Sequence, residues 1–247
     1  ILKPLVITEG KTDWMHLKTA LEHLQKNGQH ANLQCDFLEY EDDMGDSELV
    51  KICESSSRFS QCRPIICIFD RDNKAILKKV ESNDAQFKHW GHHVYSFAIP
   101  VPSHRQHIQS TISIELYFTD DEIQRENIQG KRLFLSHEFG QTGRHQEQDL
   151  HCIELNKIRR ETVNVIDRNV FDHEEVDQAL SKSGFASNVL NGIANFDDFD
   201  FSEFSKIFSI GVCDCAGWGG DCGGGGGGTG RADGDGACGG DCGTEGV

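Results

Sequence analysis

At 247 residues, 37% hydrophobic and with a formal charge of −16, the chain can bury a sizeable core but is too acidic for a general nucleic-acid coat protein. It has no run of about 18 apolar residues and no basic-then-apolar leader, so neither a membrane-spanning helix nor a signal peptide is expected. It opens at Ile1 with an apolar strand almost at once, which reads as a fragment or processed chain and leaves an upstream domain open.

Leu5 to Ile7 reads as a first strand. Trp14, Leu17, Leu21 and Leu24 recur at helical spacing, marking the apolar face of a helix that ends near Asn27-Gly28. Phe37 and Leu38 belong to a short second strand, followed by the polar turn Asp42-Asp43-Met44-Gly45-Asp46. Ser47 is the expected cap of a helix through Leu49, Val50 and Ile52. Ile65 to Phe69 is continuously apolar, as a central parallel strand should be. Lys74 to Val80 reads as helix, and Val94 to Ile99 as a fourth strand stopped by Pro100 and Pro102. This rhythm predicts an α/β fold over residues 1–118, a Rossmann-like parallel sheet flanked by helices.

Residues 119–210 read as an α+β extension packing on that domain. Thr119-Asp120-Asp121-Glu122 is a capping box. Arg132 to Leu135 and Val163 to Ile166 are candidate strands, and Glu174 to Leu180 and Phe185 to Leu190 candidate helices. Phe196, Phe199, Phe201, Phe204 and Phe208 suit a final helix packed on the core. From Gly211 to Val247 the chain is rich in Gly and Cys with almost nothing apolar, so it is expected to be disordered. The helical pattern stops mid-turn at Ile210, which suggests a shifted reading frame beyond it. The tail's cysteines match no standard zinc frame, and Cys35, Cys53, Cys62, Cys67 and Cys152 read as reduced thiols of a cytoplasmic protein.

Two acidic clusters carry the chemistry. Glu9-Gly10-Lys11-Thr12-Asp13 follows the first strand, and Asp70-Arg71-Asp72 follows the third. Ligands bind at the carboxyl ends of strands in open α/β sheets. Asp70 and Asp72, at i and i+2 of an extended backbone, face the same way. Glu9 and Asp13 can reach the same crevice. Four converging carboxylates repel unless a cation lies between them, and the usual cation for oxygen ligands is Mg²⁺ or Mn²⁺, one or two ions. A pair of such ions can activate water for phosphodiester cleavage. Gly10-Lys11-Thr12 is not a P-loop, because that motif needs Gly where this chain has Leu5.

Leu5-Val6-Ile7-Thr8-Glu9-Gly10-Lys11-Thr12-Asp13 together with Ile68-Phe69-Asp70-Arg71-Asp72 resembles a TOPRIM domain, the module of topoisomerases, primases and nucleases. The resemblance covers roughly Leu2 to Val101 and implies a catalytic Glu9 with Asp70 and Asp72 as metal ligands. It is greatest to the overcoming-lysogenization-defect nuclease branch. Asp13 in the first motif is typical of that branch and implies a second metal site. Position 74 is Lys, where topoisomerases and primases usually carry a third acid. The resemblance implies metal-dependent DNA cleavage, phage defence or repair, and an ATPase domain as partner. The alternatives are a nucleotidyl transferase or primase-like activity and a non-catalytic nucleic-acid-binding module.

Further candidates follow from position. Glu115 is either another metal ligand or a surface acid on an amphipathic turn. Asp46, after the second strand, is a weaker ligand candidate. Lys182 is either the late lysine such nucleases aim at transition-state charge or a solvated helix-end lysine. Lys78-Lys79, Lys131-Arg132 and Lys157-Arg159-Arg160 are either phosphate contacts or ordinary exposed clusters. His92-His93, His104 and His107 form no zinc pattern on a helix and read as surface or core residues.

Overall fold

The computed structural model describes residues 2–42, 44–82, 86–106, 111–193 and 195–210. The expected disordered tail, Asp43 and His107 lie outside them. In chain order, β1 (Leu5–Thr8) leads into α1 (Lys11–Lys26), β2 (Asp36–Phe37), α2 (Asp46–Ser56), β3 (Ile65–Phe69), α3 (Lys74–Val80), β4 (Lys88–Gly91) and β5 (Val94–Ala98). These strands form a five-stranded sheet in the order β2-β1-β3-β5-β4. β1, β2, β3 and β5 run parallel, and β4 pairs antiparallel to β5.

The sheet is therefore mixed, not wholly parallel as expected. Lys88-His89-Trp90-Gly91 was missed because it is half-exposed at the edge and lacks an apolar run. His92 and His93, at φ 48° and 63°, make the turn into β5, which explains their place better than any zinc site. Strand β2 stops at Phe37, one residue short of expectation. Helix α2 starts at Asp46 after Gly45, so Ser47 lies inside its first turn and is not the cap. Gly45 is at φ 74°, a backbone that favours glycine.

Period-two alternation assigns each strand residue to one of two cores. Val6, Ile66, Ile68 and Phe97 face α1 and the C-terminal half. Ile7, Ile65, Cys67, Phe69 and Val94 face α2 and α3. The layers are thus helices α2 and α3, the sheet, and α1 with the later elements.

The C-terminal elements are short: α4 (Asp120–Ile123), β6 (Phe134–Leu135), β7 (His151–Cys152), α5 (Leu155–Ile158), β8 (Val165–Ile166), β9 (Val170–Phe171), α6 (Lys182–Leu190) and α7 (Ser205–Phe208). The expected strands around Phe134 and Val165 pair antiparallel as β6 and β8. The expected helix over Glu174–Leu180 does not form. Asp172 accepts backbone N–H bonds from Glu174 and Val176 at 2.9 and 3.0 Å, Glu175 takes φ 60°, and Ala179 bridges to Arg132. A side chain that caps local N–H groups competes with the helix it would otherwise join.

Ser181 caps α6 by accepting the Gly184 N–H at 3.0 Å. The phenylalanine run is core, as expected, but only its last part is helical. Phe118 makes edge or tilted contacts with Phe185, Phe199, Phe201 and Phe204, so one aromatic cluster joins α6 and the last turns to the segment after β5. No described helix is long and apolar enough to cross a membrane.

Candidate metal and phosphate site

The register Thr8↔Ile68 between adjacent parallel strands places Glu9 and Asp70 together just past the carboxyl ends of β1 and β3. Glu9 is tied from its backbone: its carbonyl accepts the Gly45 N–H at 3.1 Å. Asp70 Oδ1 accepts the Ile114 N–H at 3.1 Å. Arg71 fixes the strand end from the opposite side. Its N–H and carbonyl pair with Ile112 at 2.8 and 2.9 Å, and its side chain donates to the Ile99 carbonyl and pairs with Glu81. Arg71 is thus engaged by Ile99 and Glu81, while Asp72 lies within electrostatic reach of Glu9.

Asp13 is the third residue of α1, buried, and turned back so that Oδ2 accepts the Gly10 N–H at 2.7 Å. A Cβ at Gly10 would meet that carboxylate at 3.2 Å, so glycine here leaves room for the acid. One turn on, His16 is also fully buried, and neither ring nitrogen has a hydrogen-bond partner. Burial pushes His16 down to about 4, so it is neutral near pH 7. The reading of the histidines passed over it. The available signal was its place three residues after Asp13, on the same helix face.

Glu115 is not a surface acid. It is fully buried in a 3₁₀ turn over Ile114–Tyr117, and Oε2 accepts Lys182 Nζ at 2.8 Å. Its other oxygen, Oε1, is buried without a hydrogen bond of normal geometry. Lys182 is correspondingly not a free helix-end lysine; its side chain is 33% exposed and the ion pair holds it over the crevice. Burial opposes ionisation of both partners. Their mutual attraction wins, lowering the Glu115 carboxyl and raising the Lys182 ammonium relative to their ordinary values.

Among the described residues, no cation lies within ion-pair distance of the remaining carboxylates of the site. Burial raises Glu9 from 4.5 to about 8, with Asp72, Asp13 and Asp46 adding repulsion. Burial and then Glu115 raise Asp13 from 3.8 to about 7. Asp70 is raised well above its ordinary value by burial, Asp13 and Glu115. Asp72 is raised mainly by burial, with Lys182 pulling the other way. Asp46 stands at the start of α2 and accepts Asn73 Nδ2 at 2.7 Å, at the margin of the crevice.

Among the described residues, no group of three or more His, Cys, Asp or Glu side chains stands in a geometry ready to hold a metal ion. The donor chemistry nevertheless fits a hard divalent cation. The donors are carboxylates alone, several are mutually repelled, and Glu115 Oε1 is an orphaned buried oxygen.

Beside the carboxylates lies a cleft of about 330 Å³ with Asp72, Lys182, Lys157 and Arg160 in its lining. A larger groove of about 500 Å³, between Lys3, Leu21 and Glu39 near β2, contains none of the acidic-site residues. Of the other basic clusters, Arg132 is engaged structurally: it pairs with Glu138 at 2.7 Å and stacks over Phe134. Lys79 carries α3's C-terminal end, and neither it nor Lys78 lines the cleft. Comparison with family models, curated proteins and solved structures gives no match.

Proposed function

We propose that this chain is a TOPRIM-type nuclease that hydrolyses DNA phosphodiester bonds with one or two Mg²⁺ or Mn²⁺ ions. One observation carries the reading. Glu9 and Asp70 follow neighbouring parallel strands, with Asp13 and Asp72 close by, and burial and mutual repulsion keep their carboxyls from ionising easily. A divalent cation between them is the simplest relief of that repulsion.

Asp70, Asp72 and Asp13 would hold the metal, with Glu9 and the free oxygen of Glu115 as further ligands. The ion, when bound, supplies an activated water and stabilises the leaving oxygen. Glu9, held protonated in the metal-free chain by burial and its neighbours, would be ionised beside a bound cation and could then take the proton of the attacking water as general base. Lys182, fixed by Glu115, presents its ammonium to charge developing on the phosphate. Lys182 thus acts as a catalytic residue and Glu115 also as its positioning partner. His16 stays neutral and adds no competing charge. The TOPRIM assignment rests on the two motifs. Phage defence or repair and an ATPase partner follow from the family resemblance alone, and the cytoplasmic setting from the reading of the cysteines as reduced thiols.

The test is nicking of supercoiled plasmid with Mg²⁺, Mn²⁺ or chelator by the wild type, Glu9→Gln and Asp70→Asn. Nicking that needs the metal and is lost in both variants supports the reading. Unchanged nicking in the variants defeats it, and labelled strands made from template and nucleotides would favour the transferase alternative.

A further inference from the structure

The cleft beside the carboxylates is unusual in a chain of charge −16, because cations dominate its lining. Among the described residues, Lys182, Lys157 and Arg160 face one carboxylate there, that of Asp72. Two of these cations are fixed in place. Lys182 is held by Glu115 at 2.8 Å, and Lys157 by Asp167 at 2.9 Å and by the Val165 carbonyl at 3.3 Å. Arg160 differs: it is exposed, and among the described residues no carboxylate lies within ion-pair distance of it. Thr111 and Thr162 add hydroxyls to the lining, and among the described residues its apolar part is aliphatic.

We infer that this cleft binds the phosphate–sugar backbone of a single nucleic-acid strand next to the bond being cut, an inference that rests on the nuclease reading. Asp72 and Lys182 belong to both the cleft and the acidic site, so the two are continuous and one strand can run from the cleft into the site. The volume is at the lower end of the range for small-molecule sites, enough for a nucleotide unit. Contacts from these cations and hydroxyls go to phosphate and sugar, so binding is independent of sequence. The cations come from the C-terminal half and the carboxylates from the sheet, so the strand lies across their junction. Arg160, exposed and with no carboxylate within ion-pair distance among the described residues, is the residue that gains most from a phosphate.

The experiment measures fluorescence anisotropy of a short labelled oligothymidylate with the full chain in chelator, over a series of salt concentrations. The wild type should bind, more weakly as salt rises. Arg160→Glu should weaken binding by about ten-fold and flatten the salt dependence by about one unit of slope. Lys26→Glu makes the same charge change at the C-terminal end of α1, about 20 Å along the helix from Asp13, and should stay within about two-fold. No wild-type binding, or equal losses in the two variants, overturns the proposal. Arg160→Gln serves as a milder second variant if circular dichroism shows Arg160→Glu misfolded. With Mn²⁺ added, binding without cleavage would defeat the nuclease reading and leave the cleft standing. Cleavage with the same KM in the wild type and Arg160→Gln would do the reverse.

Discussion

The sheet half and the C-terminal half hold their shape by different means. In the first, apolar strands alternate between two cores and regular helices cover both faces, so backbone ladders do most of the positioning. In the second, strands are only two residues long, and side chains do that work: Asp172 caps a turn, and Glu138 gathers Arg132 and His145. The charges divide in the same way. The sheet half presents Glu9, Asp13, Asp70 and Asp72, whereas the later half presents Lys157, Arg160 and Lys182. A parallel sheet can aim carboxylates at one point, but it takes the second half to bring counter-charge and a wall against them.

If the halves are joined mainly by the aromatic cluster, Phe118→Ala should have the largest effect on stability. Its ring meets those of His16 and four phenylalanines, and a loss of about 3–5 kcal/mol is expected in urea unfolding. A loss under about 1 kcal/mol would show that the halves do not depend on this contact.

Asp70→Asn probes the sheet's contribution to chemistry. It keeps the acceptor for the Ile114 N–H but removes a charge, and metal-dependent cleavage should drop about 100-fold or more with the fold retained.

Lys182→Met breaks the charge link across the halves and strands Glu115 in the core. Lys182 is about a third exposed, so the cost should fall below that of a fully buried pair, at about 2–3 kcal/mol. The double variant with Glu115→Leu should recover most of it, and additive losses by chemical denaturation would show that the two do not interact.

The smallest effect concerns pH. Glu9 and Asp13 have carboxyls raised from 4.5 to about 8 and from 3.8 to about 7. Between those values the folded chain binds more protons than the unfolded one, so metal-free stability falls as pH rises through that window. Mg²⁺ favours the ionised carboxylates and should raise the unfolding midpoint more at about pH 8 than at about pH 5. An equal rise at both would mean that the ion binds elsewhere.

Much of the sheet half was legible in residue order. A run such as Ile65 to Phe69 can be buried on both sides only in a central strand, and Trp14, Leu17, Leu21 and Leu24 share one face only on a helix. Edge strand β4 was not legible, because an exposed edge imposes no apolar pattern. Nor was the turn at Asp172, where a local side-chain cap overrides helix propensity.

For the candidate site, residue order alone determined that Glu9 and Asp70 would follow apolar strands, since strand ends are fixed by local pattern. Only the tertiary structure decided that those strands are neighbours, that Glu115 is buried against Lys182 from 67 residues away, and that His16 and Arg160 flank the crevice. The physical reason is range. Periodicity reports which face a residue takes, but the field at a carboxylate depends on every charge within a few ångströms, however distant in the chain.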